Sequence, residues 1–278
     1  MELNTVVVVY KKTLHTGKLK GTRKSERFSK RLPALPVYRQ IIDTVTDCCY
    51  ERGAEVRVVE RDALTAKHNG DLIVTVGGDG TFLAAAHLAG KTPLLGVNFR
   101  PHTSVGFFCA ATPHTFHRIV ARIVSGALDP VVLPMLELKI GGRRMPLRAL
   151  NDVLFSSPSP AEMSRYTIHL DGTQEKQRSS GVWVAAGPGS TAAMLSAGGK
   201  QRPIDDPRLQ YLVREPCPMP GVRYRHTQGL VPKGKSISIE STMSNAVAYV
   251  DGPDLAYPVK RGEKIHVRVI PNTLKAFL

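Results

Sequence analysis

Asp79 stands among glycines, in Gly77-Gly78-Asp79-Gly80-Thr81. Three glycines in four positions let the backbone turn sharply and let a ligand reach the main chain. Loops that cradle phosphate offer N–H donors and ordinarily avoid acids, because a carboxylate repels phosphate. A carboxylate kept in such a turn can take a proton from a hydroxyl, or meet a metal ion, during phosphoryl transfer. The chemistry indicated is therefore phosphoryl transfer with Asp79 as proton acceptor. The plainer alternative is a tight strand-to-helix connection with Asp79 solvated at its turn.

The flanking sequence decides what holds that turn. Leu72 to Val76 (LIVTV) is rich in β-branched residues and reads as a strand buried on both faces, as in parallel sheets. Thr81 is expected to cap a helix over Phe82–Leu88, with Gly90 as its stop. Strand, glycine turn and helix N-terminus in that order point backbone N–H groups at a phosphate. Upstream, Leu3–Tyr10 is a second buried strand, Leu35–Arg52 has helical spacing and Val56–Val59 is another strand. Pro93–Asn98 and a helix from Thr112-Pro113 to Ile123 follow. The alternation predicts a doubly wound parallel sheet. Beyond residue 130 the apolar residues alternate, with Gly141-Gly142, Asp171-Gly172 and Asp251-Gly252 as turns, so a mostly β domain is expected. The expected division is residues 1–125, with 271–278 returning to them, and residues 126–270.

Composition narrows the partners. The chain has 278 residues, 42% apolar, and a net charge of +15. No apolar run is long enough to span a membrane as a helix. The opening MELNTVVVVYKK reads as a strand and not as a secretory signal, and Cys48, Cys49, Cys109 and Cys217 show no metal or disulfide spacing. A cytoplasmic location without membrane contact is expected. Between Lys11 and Arg31 nine Lys/Arg face one acid, Glu26, a balance that suits nucleotides or polyphosphate. Interleaved aromatics are missing, so nucleic acid is not an expected partner.

Two motif matches fail on context. Gly229–Ser236 (GLVPKGKS) fits the P-loop pattern, yet the alternating ISIES that follows reads as strand where that loop needs a helix. Gly187–Ala192 (GPGSTA) fits a dinucleotide fingerprint, yet the apolar stretch to Ala197 is too short for a crossover helix.

Taken together, Gly77–Thr81 (GGDGT), Ala149-Leu150-Asn151-Asp152, Gly189–Ala192 (GSTA) and Leu195–Gly199 (LSAGG) resemble the NAD kinase family in order and spacing. GGDGT alone is shared with lipid kinases; the combination is far more specific. The resemblance implies an α/β N-terminal domain with a parallel sheet and the GGDGT turn, a mostly β C-terminal domain, a substrate site between them, and homodimers or homotetramers. It implies transfer of a phosphoryl group from ATP, or polyphosphate, to the adenosine ribose 2′-hydroxyl of NAD+ or NADH, with Mg²⁺ or Mn²⁺. Asp79 would be the general base. Gly77, Gly78, Gly80 and Thr81 would hold phosphates. Asn151 and Asp152 would grip the dinucleotide, with Thr191, Ala192 and Ser196 lining the same site.

This sequence departs from many members of the family at three places. Ala193 stands for an aromatic, Ser180-Gly181 for Asp-Gly, and Asn98-Phe99-Arg100-Pro101 for a glycine-rich segment. With Tyr211–Pro216 (YLVREP), these look like the NADH-preferring branch known from plants and bacterial relatives. An aromatic face and a carboxylate both favour a cationic nicotinamide, so, with these positions facing that ring, their loss predicts that NADH is used as well as or better than NAD+. The rival readings are a lipid or sphingoid kinase sharing GGDGT and a non-catalytic dinucleotide sensor.

Overall fold

The computed structural model describes residues 2–11, 35–64 and 70–278. Apart from Lys11, the basic segment through Arg31 lies outside the described residues. The chain divides into two compact units, Met1–Val131 with Leu274–Leu278, and Val132–Thr273. The expected boundary at 125/126 falls at the turn that ends a helix, a few residues before the division between the units.

The first unit alternates strand and helix. Thr5–Tyr10 (β1), Leu35–Tyr50 (α1), Glu55–Glu60 (β2), Leu72–Gly77 (β3), Asp79–Ala86 (α2), Leu94–Asn98 (β4) and Phe116–Val124 (α3) follow in order. The strands lie in the order β2-β1-β3-β4, each pairing parallel. β3 is buried along its whole length, as its apolar run requires. Val45 and Cys49 of α1 pack with Val120 and Ile123 of α3 and with Val6 and Val74 of the sheet. The Tyr38 hydroxyl donates to Val76 O at 2.8 Å and accepts from Lys11 N at 2.9 Å, tying α1 to the ends of β1 and β3. Burial pushes that phenol up to about 12.

Two helices start away from their expected positions. α2 begins at Asp79, because Gly78 is already extended (φ −115°, ψ −165°) and its carbonyl accepts from Thr81 and Phe82 N–H at 2.9 and 3.3 Å. Gly78, and not Thr81, is therefore the N-cap. α3 begins at Phe116, because Thr112–Thr115 closes a turn first, with Thr115 N–H donating to Thr112 O at 3.0 Å.

The second unit is two sheets around one core. Its elements are Val131–Ile140 (β5), Arg143–Arg144 (β6), Asp152–Ser156 (β7), Ser164–Leu170 (β8), Thr173–Ser179 (β9), Gly181–Ala185 (β10), the short helix Ala193–Ser196 (α4), Leu209–Arg214 (β11), Gln228–Val231 (β12), Ser236–Ser241 (β13), Ala246–Val250 (β14), Ala256–Val259 (β15) and Lys264–Phe277 (β16). One sheet runs β12-β11-β10-β7-β14-β15; the other runs β16-β13-β8-β9, with β5 on β16 and β6 on β5. Alternation drives them together: Ile237 and Ile239 of β13 are buried while Ser236 and Glu240 are not. Phe155, Tyr166, Val182, Ile239 and Val267 meet in the core. The GLVPKGKS match resolves as expected, since Ser236 opens strand β13. Lys233 and Lys235 lie in the link between β12 of one sheet and β13 of the other. GPGSTA forms a single 3-10 turn, Pro188–Thr191, followed by the one-turn α4.

Candidate active site

In the first unit, β3 delivers the backbone to Gly77, and α2 starts two residues on. Gly77 is required by close approach. A Cβ there would lie 2.2 Å from Thr81 Oγ1, and Thr81 is 1% exposed. The Thr81 hydroxyl is buried without a hydrogen-bond partner. It packs inward over Gly77, so its present position serves the turn more than a ligand. Gly80 differs: it is exposed, with open space where a Cβ would point. The N–H groups of a helix's first turn have no intrahelical partner, which leaves those of Asp79 and Gly80 available at this end.

Asp79 is half-buried and oriented. Its Oδ2 accepts from Phe107 N at 3.1 Å and its Oδ1 from Phe108 N at 2.9 Å. The stretch that brings these amides is pinned by Asn98 at the end of β4. Asn98 Oδ1 accepts from Arg100 N at 3.0 Å, and Asn98 Nδ2 donates to Ser104 O at 3.2 Å. Phe108 stacks on Phe82 of α2 with centroids 5.1 Å apart. The sequence reading singled out Asn98–Pro101 as a departure but missed the two Phe amides; Gly106-Phe107-Phe108 carries no signal that its N–H groups face a carboxylate. Burial, with the Asp79 charge adding to it, pushes the Cys109 thiol up to about 12.

In the second unit, Asn151 and Asp152 enter β7 beside the Pro188–Thr191 turn. A Cβ on Gly189 would lie 1.7 Å from Asn151 O, so only glycine lets the turn pack there. This contact brings the Asn-acid pair and the GSTA segment together. Asn151 Oδ1 is buried without a partner. Asp152 is 5% exposed, and burial, with the Asp251 charge adding to it, pushes its carboxyl up to about 7. Asp251 is the residue sequence reasoning missed. Its carboxylate accepts from Leu150 N at 2.7 Å, Asn151 N at 2.8 Å and Asp152 N at 3.0 Å. Its sequence context, Asp251-Gly252, indicates only a turn, and its φ of +52° agrees with that too. Ser190 Oγ donates to Gly187 O at 2.7 Å and accepts from Arg202 N at 2.9 Å, fixing the turn from within. Thr191 and Ala192 are half-buried at its end, and Ser196 is exposed on α4.

Ser196 and Ala193 line a cavity of about 350 Å³ with Trp183, Arg214 and Glu215. The Arg214 guanidinium lies 5.8 Å from the Trp183 ring centroid. Glu215 has φ +46°, a left-handed conformation strained for a non-glycine residue. Its carboxylate accepts from Ser180 Oγ. The expectation that Ser180 leaves this region without a carboxylate is thus corrected: Glu215 supplies one, held by the serine that stands in place of the acid.

Among the described residues no group of three or more His, Cys, Asp and Glu is placed to hold a metal ion. Among them, too, no helix is long and apolar enough to cross a membrane.

Two solved structures share this fold. A crystal structure of an NAD kinase from Archaeoglobus fulgidus in complex with ATP superposes with TM-score 0.70 at 21% identity, covering 99% of this chain and 93% of that one. Yeast NADH kinase complexed with NADH gives TM-score 0.72 at 18% identity, covering 99% and 83%. The fold class is that of the NAD kinases. In sequence, the family described as the ATP-NAD kinase N-terminal domain matches residues 24–128. A probable NADH kinase of Oryza sativa subsp. japonica is 35% identical over 245 residues, 80% of this chain and 75% of that protein. The NADH kinase of Arabidopsis thaliana is 29% identical over 266 residues, 87% and 84% respectively. The chain belongs to the NAD kinase family.

Proposed function

We propose that this protein is an NAD(H) kinase that moves the terminal phosphoryl group of ATP, or of polyphosphate, to the adenosine ribose 2′-hydroxyl of NAD+ or NADH, with Asp79 as general base. The observation that carries the reading is the Asp79 carboxylate, held by two backbone N–H groups in a glycine turn at the carboxyl end of β3. Such a carboxylate is oriented and keeps lone pairs free to accept a proton. Asp79 takes the hydroxyl proton as the ribose oxygen bonds to the terminal phosphorus; the bond from that phosphorus to its bridging oxygen breaks, and ADP, or the polyphosphate shortened by one unit, leaves with the electron pair. Gly78 and Gly80, with the first N–H groups of α2, receive phosphate oxygens, while Gly77 and Thr81 shape the turn. Asn151, Asp152, Thr191, Ala192 and Ser196 hold the dinucleotide.

A Mg²⁺ or Mn²⁺ ion fits this reading as an ion carried on the donor's phosphates, where it spreads their charge, since Mg²⁺ commonly keeps few protein ligands. A homodimer or homotetramer acting in the cytoplasm belongs to the same proposal. Family membership sets the lipid kinase reading aside; a dinucleotide sensor is separated by turnover. One assay tests it: NAD+ and NADH, each with ATP and with polyphosphate, product read as NADP(H). Formation of NADP(H) is expected, and dinucleotide binding with no product would overturn the enzyme reading.

A further inference from the structure

Asp251 follows directly on β14 and turns its carboxylate back onto the stretch that enters β7. One oxygen accepts from Leu150 N–H; the other accepts from both Asn151 and Asp152 N–H. Its own N–H donates to Asp152 O at 3.0 Å. An ionised carboxylate only accepts, and hydrogen bonds to a charged acceptor are the strong ones. The chain on either side is fixed by other means. Ala149 exchanges two backbone bonds with Leu136, at 2.7 and 3.0 Å, and from Val153 onward β7 pairs with β10 and β14. The Asp251 charge also lies close enough to Asp152 to help push its carboxyl up. Crowding two acids is a cost, and three charge-assisted bonds offset it.

Asn151 is the middle residue of the held stretch. Gly189 closes its other side: a Cβ there would lie 1.7 Å from Asn151 O and 2.8 Å from Asn151 Cα. The Asn151 main chain is thus held at its amide by Asp251 and at its carbonyl by Gly189. Its side chain is treated differently. Oδ1 is buried and, among the described residues, accepts no hydrogen bond. A buried acceptor without a donor is costly, and an N–H or O–H of a ligand would satisfy it. A rigid main chain carrying an unsatisfied side-chain acceptor is the mark of a binding group ordered before its ligand arrives.

We propose that Asp251 is a positioning residue: by holding the amides on both sides of Asn151, it sets the Asn151 carboxamide to receive a hydrogen-bond donor of the dinucleotide. The proposal rests on the reading that Asn151 grips the dinucleotide, and adds the residue that aims it. Asp251 acts through Asn151 and not by touching the dinucleotide.

Two substitutions keep the turn, since Asn tolerates positive φ and Gly adopts it freely. Asp251→Asn leaves one oxygen for three amides and turns an NH2 toward at least one of them; Asp251→Gly removes the carboxylate. Calorimetric titration of the full chain with NAD+ and with NADH should show Asp251→Asn weakening both by about fivefold or more, and Asp251→Gly by at least as much. KM for ATP should stay within about twofold, a split that a general loss of structure does not produce. In an Asn151→Ala background the same Asp251 changes should weaken binding by less than about twofold, because the group they misplace is already gone. Equal losses with and without Asn151 overturn the proposal, as does a matching rise in KM for ATP. Failure of both Asp251 variants to fold, read by thermal melting, assigns the residue to stability alone and overturns it too. Asn151→Ala that weakens binding while neither Asp251 variant does overturns the proposal and leaves the grip reading standing. Asn151→Ala that binds as wild type overturns the grip reading itself, and the proposal with it.

Discussion

At the residue scale, two carboxylates have opposite tasks. Asp79 faces two N–H donors, and replacing it by Asn puts an NH2 against one of them. Asp79→Asn should therefore lower kcat by at least about 10², the lower range for loss of a general base. It should also cost about 1–3 kcal/mol of stability, from one N–H left facing a donor. Dinucleotide affinity should stay within a few-fold; near-normal turnover in a folded variant would remove Asp79 from the mechanism. Asp152 is held with its carboxyl pushed up to about 7 by burial and by Asp251. Its folded-state value lies above the unfolded one, so between about pH 4 and 7 the native state keeps a proton that the unfolded chain has released. Stability then falls as pH rises through that window, by an amount on the order of a few kcal/mol. Asp152→Asn should flatten this slope in urea titrations at pH 5 and pH 8. An unchanged slope would mean that the group titrates normally.

At the scale of elements, the GGDGT turn separates glycines by what surrounds them. Gly77→Ala forces a methyl onto buried Thr81 and should cost about 1–3 kcal/mol by overpacking. Gly80→Ala meets nothing and should be neutral or up to about 1 kcal/mol stabilising in the first turn of α2. Equal melting temperatures for the two variants would contradict the geometry of this strand-to-helix join. The β10–β11 region bears on redox choice. Glu215 restores a carboxylate that Ser180 lacks, while Trp183 carries the Arg214 guanidinium on its ring. If the nicotinamide sits here, Glu215→Gln should lower kcat/KM for NAD+ about fivefold more than for NADH, by loss of one charge contact. An equal effect on both substrates would place the ring elsewhere. The sequence disclosed the elements whose composition is one-sided: the buried runs of β1 and β3, the amphipathic α1 and the alternating β13. It hid β9, whose TQEKQRS is polar nearly throughout, because the pairing of β9 with β8 forms it and its own pattern does not. Asp251 was hidden for another reason. Its three amide partners lie about a hundred residues away, and neither spacing nor type reports a contact over that distance.

At the scale of the whole molecule, charge is the property most plainly written in composition. The net charge is +15, and nine Lys/Arg against Glu26 fall between Lys11 and Arg31. Such a density attracts phosphates at long range and is screened by salt. Neutralising Lys18, Lys20, Arg23 and Lys24 should raise KM for ATP or polyphosphate and flatten its dependence on ionic strength, with KM for the dinucleotide little changed. A loss of stability with donor KM unmoved would assign the segment to solvation alone. The division into an α/β and a mostly β unit was legible because hydrophobic periodicity changes near residue 130. The Asp79 turn was legible because its chemistry is local.

The last strand has a bearing on how the protein is made. β16 begins in one unit and ends in the other, and Ala276 and Phe277 pair with Leu94 and Leu95 of β4. The residues between the two parts of the first unit, 132–273, number 142. At about 5–20 residues per second, a ribosome needs about 7–30 s to cross them. During that interval the edge of β4 lacks this partner, and an apolar unpaired edge is a template for wrong pairing. Synthesis therefore imposes an order in which the parallel sheet of the first unit, begun early, is finished last, after the chain for the β unit has emerged.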